Sequence, residues 1–148
     1  MAFELNYKNQ FKLDVTPDAE EPSFETLAAG ISSVEPANNE ELDQTAYFDG
    51  EGFSETDVIG AQLVLSVSGH RKVGDAAQDY IFSKYLEVGD ARRTRFEWET
   101  PSGELFEGNV TIANIEGPGG EARAKGEFSF EIHFNGKPEY TPAPEPTP

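Results

Sequence analysis

Four carboxylates, Asp49, Glu51, Glu55 and Asp57, crowd a glycine-containing stretch, and His70 and His133 are the only imidazoles in the chain. Closely spaced carboxylates could hold calcium. A calcium loop, however, needs oxygen ligands at its first, third and fifth positions and glycine at the sixth. Counted from Asp49, the fifth position is Phe53 and the sixth is Ser54. Neither histidine has a second His or a Cys at metal-ligand spacing, so each is expected to be solvated or hydrogen-bonded. Carboxylates are too abundant for proximity to nominate an acid and a nucleophile. Gly50-Glu51-Gly52 has no helix after it, and neither a phosphate loop nor a GxSxG turn occurs. No enzyme activity, cofactor or metal is expected. Arg92, Arg93 and Arg95, and Arg123 and Lys125, interleave with Glu97, Glu99 and Glu127. That pattern predicts cross-strand ion pairs rather than a nucleic-acid stripe.

The chain that must position these groups has 148 residues, 28 acidic and 11 basic, a formal charge of −17 and no cysteine. Its length suits one domain with one core. Without cysteine there is no disulfide framework and no thiolate site. The charge argues against tight binding to nucleic acid, which needs Lys and Arg on phosphates, and against adhesion to anionic membranes. It suits either general solubility or a surface that repels a polyanion. No apolar run is long enough to span a bilayer. The start, MAFELNYKNQFKLDV, lacks a basic segment followed by an apolar one, so the expected starting compartment is the cytoplasm.

Hydrophobic alternation dominates. Phe3, Leu5, Tyr7, Phe11, Leu13 and Val15 alternate with polar residues, predicting one strand over 2–15 or two with a break near Asn9 and Gln10. Residues 58–71 alternate again, with Leu63, Leu65 and Val67 on one face and Gln62, Ser66, Ser68 and His70 on the other. Gly69 suggests a bulge or strand end. Asp75 can cap a helix, with Gln78 at capping-box spacing. Ala77, Ile81, Tyr85 and Val88 continue at helical spacing, and Gly89 fits the C′ position, so one helix over about 75–88 is predicted. Residues 92–100 alternate and place Trp98 in the core. Residues 104–115 make the partner strand after a turn at Pro101-Ser102-Gly103, with Ile115 out of phase as at a bulge. Glu116–Gly120 reads as a turn, and 121–136 as the clearest strand.

Two segments depart from this pattern. From Leu13 to His70 there is no Lys or Arg, and residues 14–57 hold 13 of the 28 acidic residues. Residues 16–57 read as a long acidic loop, either a flexible linker or an arm that docks on a neighbour. Residues 139–148 are proline-rich and expected to be extended and outside the fold. The fold class is mainly β. It is an antiparallel β-sandwich or barrel-like sheet pair with one flanking helix and a long acidic loop, forming a single domain over 1–138.

The stretch YFDGEGFSETDVIGAQLVLSVSGHRKVGDAAQDYIF is followed in order by TPSGELFEGNVTIANI and GGEARAKGEFSFEIHFNGKP. In this order and spacing the chain resembles the tail tube proteins of long, non-contractile-tailed phages of Gram-positive hosts. The likeness covers roughly residues 45–138. Such proteins are similar in fold to the tube proteins of contractile tails and of type VI secretion. The resemblance implies a structural virion protein that self-assembles into stacked hexameric rings. It implies no catalytic residues. The partners would be further copies of this chain and other tail proteins such as the tape measure and the terminator. Double-stranded DNA would pass through during ejection without tight binding. The protein would be made in the host cytoplasm and reside in the virion tail, with no membrane binding by this chain. If each of six copies lent four strands, about 24 strands at ~4.8 Å spacing and ~40° tilt would give a circumference of roughly 150 Å. The backbone diameter would then be roughly 45 Å, wide enough for a duplex.

On that reading the polar strand faces are candidates for the lumen lining: Gln62, Ser66, Ser68, Glu97, Glu99, Glu107, Glu127 and Glu131. An acidic lining would let DNA slide, where a basic one would hold it. Phe24, Leu27, Ile31, Leu42, Tyr47, Phe48 and Phe53 are candidates for an inter-subunit arm. Deleting 18–45 is then expected to leave a folded domain that forms no tubes. The alternative reading is a monomeric carbohydrate-binding β-sandwich on a proline-rich linker, with Trp98 and the tyrosines stacking on sugar.

Overall fold

A computed structural model describes residues 3–144. In chain order its strands are β1 (Gln10–Asp14), β2 (Phe24–Thr26), β3 (Ile31–Ala37), β4 (Glu41–Ala46), β5 (Ser54–Gly60) and β6 (Val64–His70), then, after the helix α1 (Ala76–Ser83), β7 (Arg93–Glu99), β8 (Leu105–Gly119), β9 (Glu127–Phe134) and β10 (Glu139–Thr141). Eight strands form one antiparallel sheet in the order β2-β1-β7-β8-β9-β6-β3, with β10 also on β8; β4 and β5 form a separate two-stranded sheet. The expected mainly β class is what the chain adopts, with two antiparallel sheets and a single α-helix among the described residues.

Chain length forces the large sheet to curl. Its two edge strands, β2 and β3, are joined by residues 27–30 alone. Five Cα steps span at most ~18 Å, whereas the edges of a flat seven-strand sheet lie roughly 29 Å apart. The sheet therefore wraps around one core, giving a sandwich-like barrel. Leu13, Leu27, Leu65, Phe96, Ile112, Phe130, Ile132 and Phe134 are fully or almost fully buried there, with Ala77 and Ile81 of the helix among them. The wrap is closed by a tight approach of two glycines. His70 N donates to Gly30 O at 2.7 Å, and a Cβ on Gly69 would lie 2.1 Å from that oxygen.

Several expectations are corrected. Strand structure begins only at Gln10, and Phe3, Leu5 and Tyr7 are exposed. Alternation permits a strand, but a strand also needs a neighbouring edge to pair with, and none is used there within the chain. Residues 16–57 are not one loop: they contain β2, β3, β4 and most of β5. The helix is shorter than 75–88. Asp75 does cap it, its carboxylate accepting from Gln78 N at 3.2 Å. The helix ends at Ser83, and Leu86 and Val88 are exposed. Strand β8 runs on to Gly119, so the turn predicted at 116–120 moves to 120–126, and β9 begins only at Glu127. The bulge near Ile115 is present, as a register shift between Ala113 and Glu116. Residues 139–141 pair with β8, and the Tyr140 hydroxyl donates to Glu104 at 2.6 Å, so the tail starts inside the sheet. Residues 145–148 lie outside the described residues.

Candidate assembly and lumen surfaces

The ladder registers put a continuous polar face on the side of the sheet away from the core. Across β1, β7 and β8, Lys12 stands opposite Glu97, Glu97 opposite Glu107, Arg95 opposite Asn109 and Arg93 opposite Thr111. Across β9, β6 and β3, Glu131 stands opposite Ser66 and Ser66 opposite Glu35, while Ser68 lies between Ser129 and Ser33. Glu99 and Glu127 extend the same face, opposite Gln10 and His70. Seven of the eight lining candidates thus lie on the outward face, in two groups: Glu97, Glu99 and Glu107 on β7 and β8, and Ser66, Ser68, Glu127 and Glu131 on β6 and β9. Gln62 lies just before β6, off the ladder, where its amide donates to Phe134 O at 3.3 Å. Reading from sequence missed Ser33 and Glu35, because β3 sat inside the supposed loop. It also missed Asn114, whose side chain comes forward at the β8 bulge.

The expected ion pairs between arginines and glutamates are absent from the β7–β8 ladder. Register decides this: Glu97 faces Glu107, whereas Arg93 and Arg95 face neutral residues. Partial burial, then the Glu107 charge, push the Glu97 carboxyl above its ordinary range, with Lys12 acting the other way. Glu131 is held below its range, first by the hydrogen bond with His133 at 2.8 Å and then by Asn114, also at 2.8 Å. Beside it lies an open polar depression of about 430 Å³ lined by Ser33, Glu35, Ser66, Ser68, Asn114 and Glu131.

The pH consequence for Glu97 has a definite sign. A carboxyl whose folded pKa is raised binds its proton more tightly in the folded state, so it costs stability above that pKa and the cost is relieved as pH falls toward it. Glu97→Gln is expected to raise stability at pH 7 by on the order of 0.5 kcal/mol, the size of a like-charge cross-strand pair. The gain should shrink as pH falls through that raised folded pKa and be lost below about pH 4.5, near the ordinary glutamate value. Urea denaturation at both pH values checks it, and a gain that grows on acidification contradicts the assignment.

The second surface is the β4–β5 hairpin. Leu42, Tyr47, Phe48 and Phe53 are all exposed, as are Val58 and Ile59. Its base is closed where Gln62 N donates to Asn38 O at 2.9 Å and the Asn39 amide donates to Gln62 O at 3.2 Å. The other arm candidates are spent within the domain. Leu27 is buried in the core, Ile31 packs against it, and Phe24 is half-buried on β2.

Neither histidine is placed for metal work, and among the described residues no three His, Asp or Glu side chains gather as a metal site would need. Trp98 lies at the margin of the core rather than within it. Its ring stacks on Phe106 with centroids 4.8 Å apart, and its Nε1–H donates to Asn9 Oδ1 at 2.9 Å. A ring engaged in this way is a poor platform for sugar.

No family model and no curated protein matches this sequence. Among solved structures, a chain from the tail of an empty gene transfer agent particle, determined by helical refinement with C6 symmetry, superposes with a TM-score of 0.76. The two are 18% identical, over 95% of this chain and 100% of that one. The two chains share one fold. A chain from the virion of the native gene transfer agent particle superposes with a TM-score of 0.74 at 17% identity, again over 95% and 100% of the two chains. The shared fold therefore takes in the curled sheet, the helix and the hairpin region together, with little of this chain left over.

Proposed function

We propose that this chain is a structural, non-enzymatic subunit of a virion tail, in which six copies close into a ring and rings stack into a tube. The observation that carries the reading is the likeness over nearly the whole chain to a subunit of a C6-symmetric particle tail. The tail is of the long, non-contractile kind found in phages of Gram-positive hosts, as the sequence resemblance implies. The chain is made in the host cytoplasm and ends in the virion, meeting further copies of itself, a tape measure protein and a terminator.

The polar sheet face lines the channel in this reading. Its carboxylates, Glu35, Glu97, Glu99, Glu107, Glu127 and Glu131, outnumber Lys12, Arg93 and Arg95. Repeated around a ring, that excess repels a duplex from every side, so DNA passes without releasing the counterions that would hold it. The exposed apolar groups on the hairpin and on residues 3–7 supply contacts between copies. Electron microscopy of the purified protein over a concentration series tests the proposal. Rings or tubes with a central channel are the expected result. A monomer at every concentration, with retention on a polysaccharide column, would overturn it in favour of a binding module.

A further inference from the structure

A two-stranded hairpin with no third element against it is marginal in water, and β4–β5 makes no substantial contact with any other element of its own chain. Its register weakens it further. Asp43 stands directly opposite Asp57, with Glu55 next along the same face. Like charges so placed destabilise a strand pair, and no Lys or Arg occurs from Leu13 to His70 to offset them. On the other face Leu42 pairs with Val58, and both are exposed. The hairpin thus offers acid on one side and apolar surface on the other.

A complementary surface follows α1. The Arg92 guanidinium donates to the carbonyl oxygens of Tyr85 and Glu87 at 2.9 Å and of Ile112 at 3.1 Å, which pins the turn between helix and β7. On this fixed turn Leu86 is 93% and Val88 84% exposed. Arg93 and Arg95 continue the surface onto β7. Arg93 reaches only Asp90, at 3.8 Å, and Arg95 makes no ion pair among the described residues. They occupy the first half of β7, away from Glu97 and Glu99.

We propose that the β4–β5 hairpin of one copy docks on the Tyr85–Arg95 surface of a second copy. Asp43, Glu55 and Asp57 meet Arg93 and Arg95, and the exposed aromatic residues at the hairpin's tip, Tyr47, Phe48 and Phe53, cover Leu86 and Val88. The contact supplies the third element that the hairpin lacks and the cations that its facing carboxylates need. It deepens the tail-subunit reading and rests on it. It also leaves the carboxylates at the other end of β7 free to face a channel.

Two charge reversals test it, D43K/D57K on the hairpin and R93E/R95E on the surface. The reversed hairpin keeps a like-charge pair, so its own folding is no worse. Assembly is followed by sedimentation velocity and negative-stain microscopy over a concentration series, with circular dichroism to verify each fold. If a reversal fails to fold, the neutral forms D43N/D57N and R93Q/R95Q replace it. Each reversal alone is expected to raise the concentration for half-assembly at least about tenfold, as expected for close charge pairs across an interface. The variant carrying both reversals, and a mixture of the two separately purified variants, are both expected to recover it. Recovery in the mixture requires a contact between copies. Unchanged assembly in either variant overturns the proposal, as does recovery in the combined variant without recovery in the mixture. Tubes that persist in each single-reversal variant remove this contact and leave the tail reading standing. Recovery into closed dimers rather than tubes supports the contact and removes the tube.

Discussion

Replacing residues 40–61 by two glycines leaves the domain folded and abolishes ring and tube assembly. The base of the hairpin explains the first half. Ala37 of β3 stands opposite Val64 of β6, and Asn38 and Gln62 are already hydrogen-bonded. A two-residue glycine bridge therefore converts the long excursion into an ordinary hairpin turn. No residue between 40 and 61 belongs to the buried core, so the folding free energy should change by less than about 1 kcal/mol. The second half follows from removing Leu42, Tyr47, Phe48 and Phe53, the exposed groups best placed to reach another copy. Deleting 18–45, which looks equivalent in the sequence, should instead unfold the chain. It removes β2, β3 and the buried Leu27, and with them both edges of the curled sheet. Circular dichroism and size exclusion separate these outcomes, and microscopy reads assembly. Normal tubes from the shortened chain would refute the role given to the hairpin.

Gln78→Leu should cost about 3–5 kcal/mol, a large share of the roughly 5–15 kcal/mol that holds an ordinary domain together. Gln78 is fully buried. Its amide nitrogen donates to Ala29 O at 2.6 Å and to His70 O at 3.3 Å, and its oxygen accepts from Lys72 N at 2.8 Å and Arg71 at 3.3 Å. One side chain thus ties the helix to the β2–β3 connection and to the end of β6, where Gly30 and Gly69 meet. Leucine fills the space but orphans these backbone groups. Gln78→Glu distinguishes this role from the capping box suggested by the Asp75-x-x-Gln78 spacing. In a capping box glutamate serves as well as glutamine. Here it cannot donate to the two carbonyls and sets a buried carboxylate against them, so it should destabilise at least as much as leucine at neutral pH. Urea titration of the three proteins decides it, and a stable glutamate variant would restore the capping-box account.

Much of the central sheet was legible because its strands are buried on one face. The alternation in β6, β7, β8 and β9 places Leu65, Phe96, Ile112 and Phe130 inward and the glutamates outward. Those outward residues became seven of the eight members of the candidate lining. Ile115 announced its irregularity by breaking that period; at Gly69, by contrast, β6 runs on regularly to His70, and the bulge lies opposite it in β3. The edges were not legible. In β3 the bulge between Ile31 and Ser33 shifts the phase, and Pro36 suits an edge strand while arguing against a central one. In β4 and β5 both faces meet solvent, so no alternation is imposed. In β10 two flanking prolines mask three residues that pair only because β8 extends past β9 beside them.

Amino-acid order alone determined that this chain is mainly β, where its one helix begins and which side of each central strand is polar. Burial on one face writes itself into a period of two, and a helix start writes itself into its cap. Tertiary structure decided the rest, because it depends on which strand lies beside which. Register set Glu97 against Glu107 and left Arg93 and Arg95 without carboxylate partners. The curl of the sheet drew Leu27 and Ile31 out of the supposed arm and into the core. The same curl left β4–β5 as an acidic hairpin with nothing of its own to rest on.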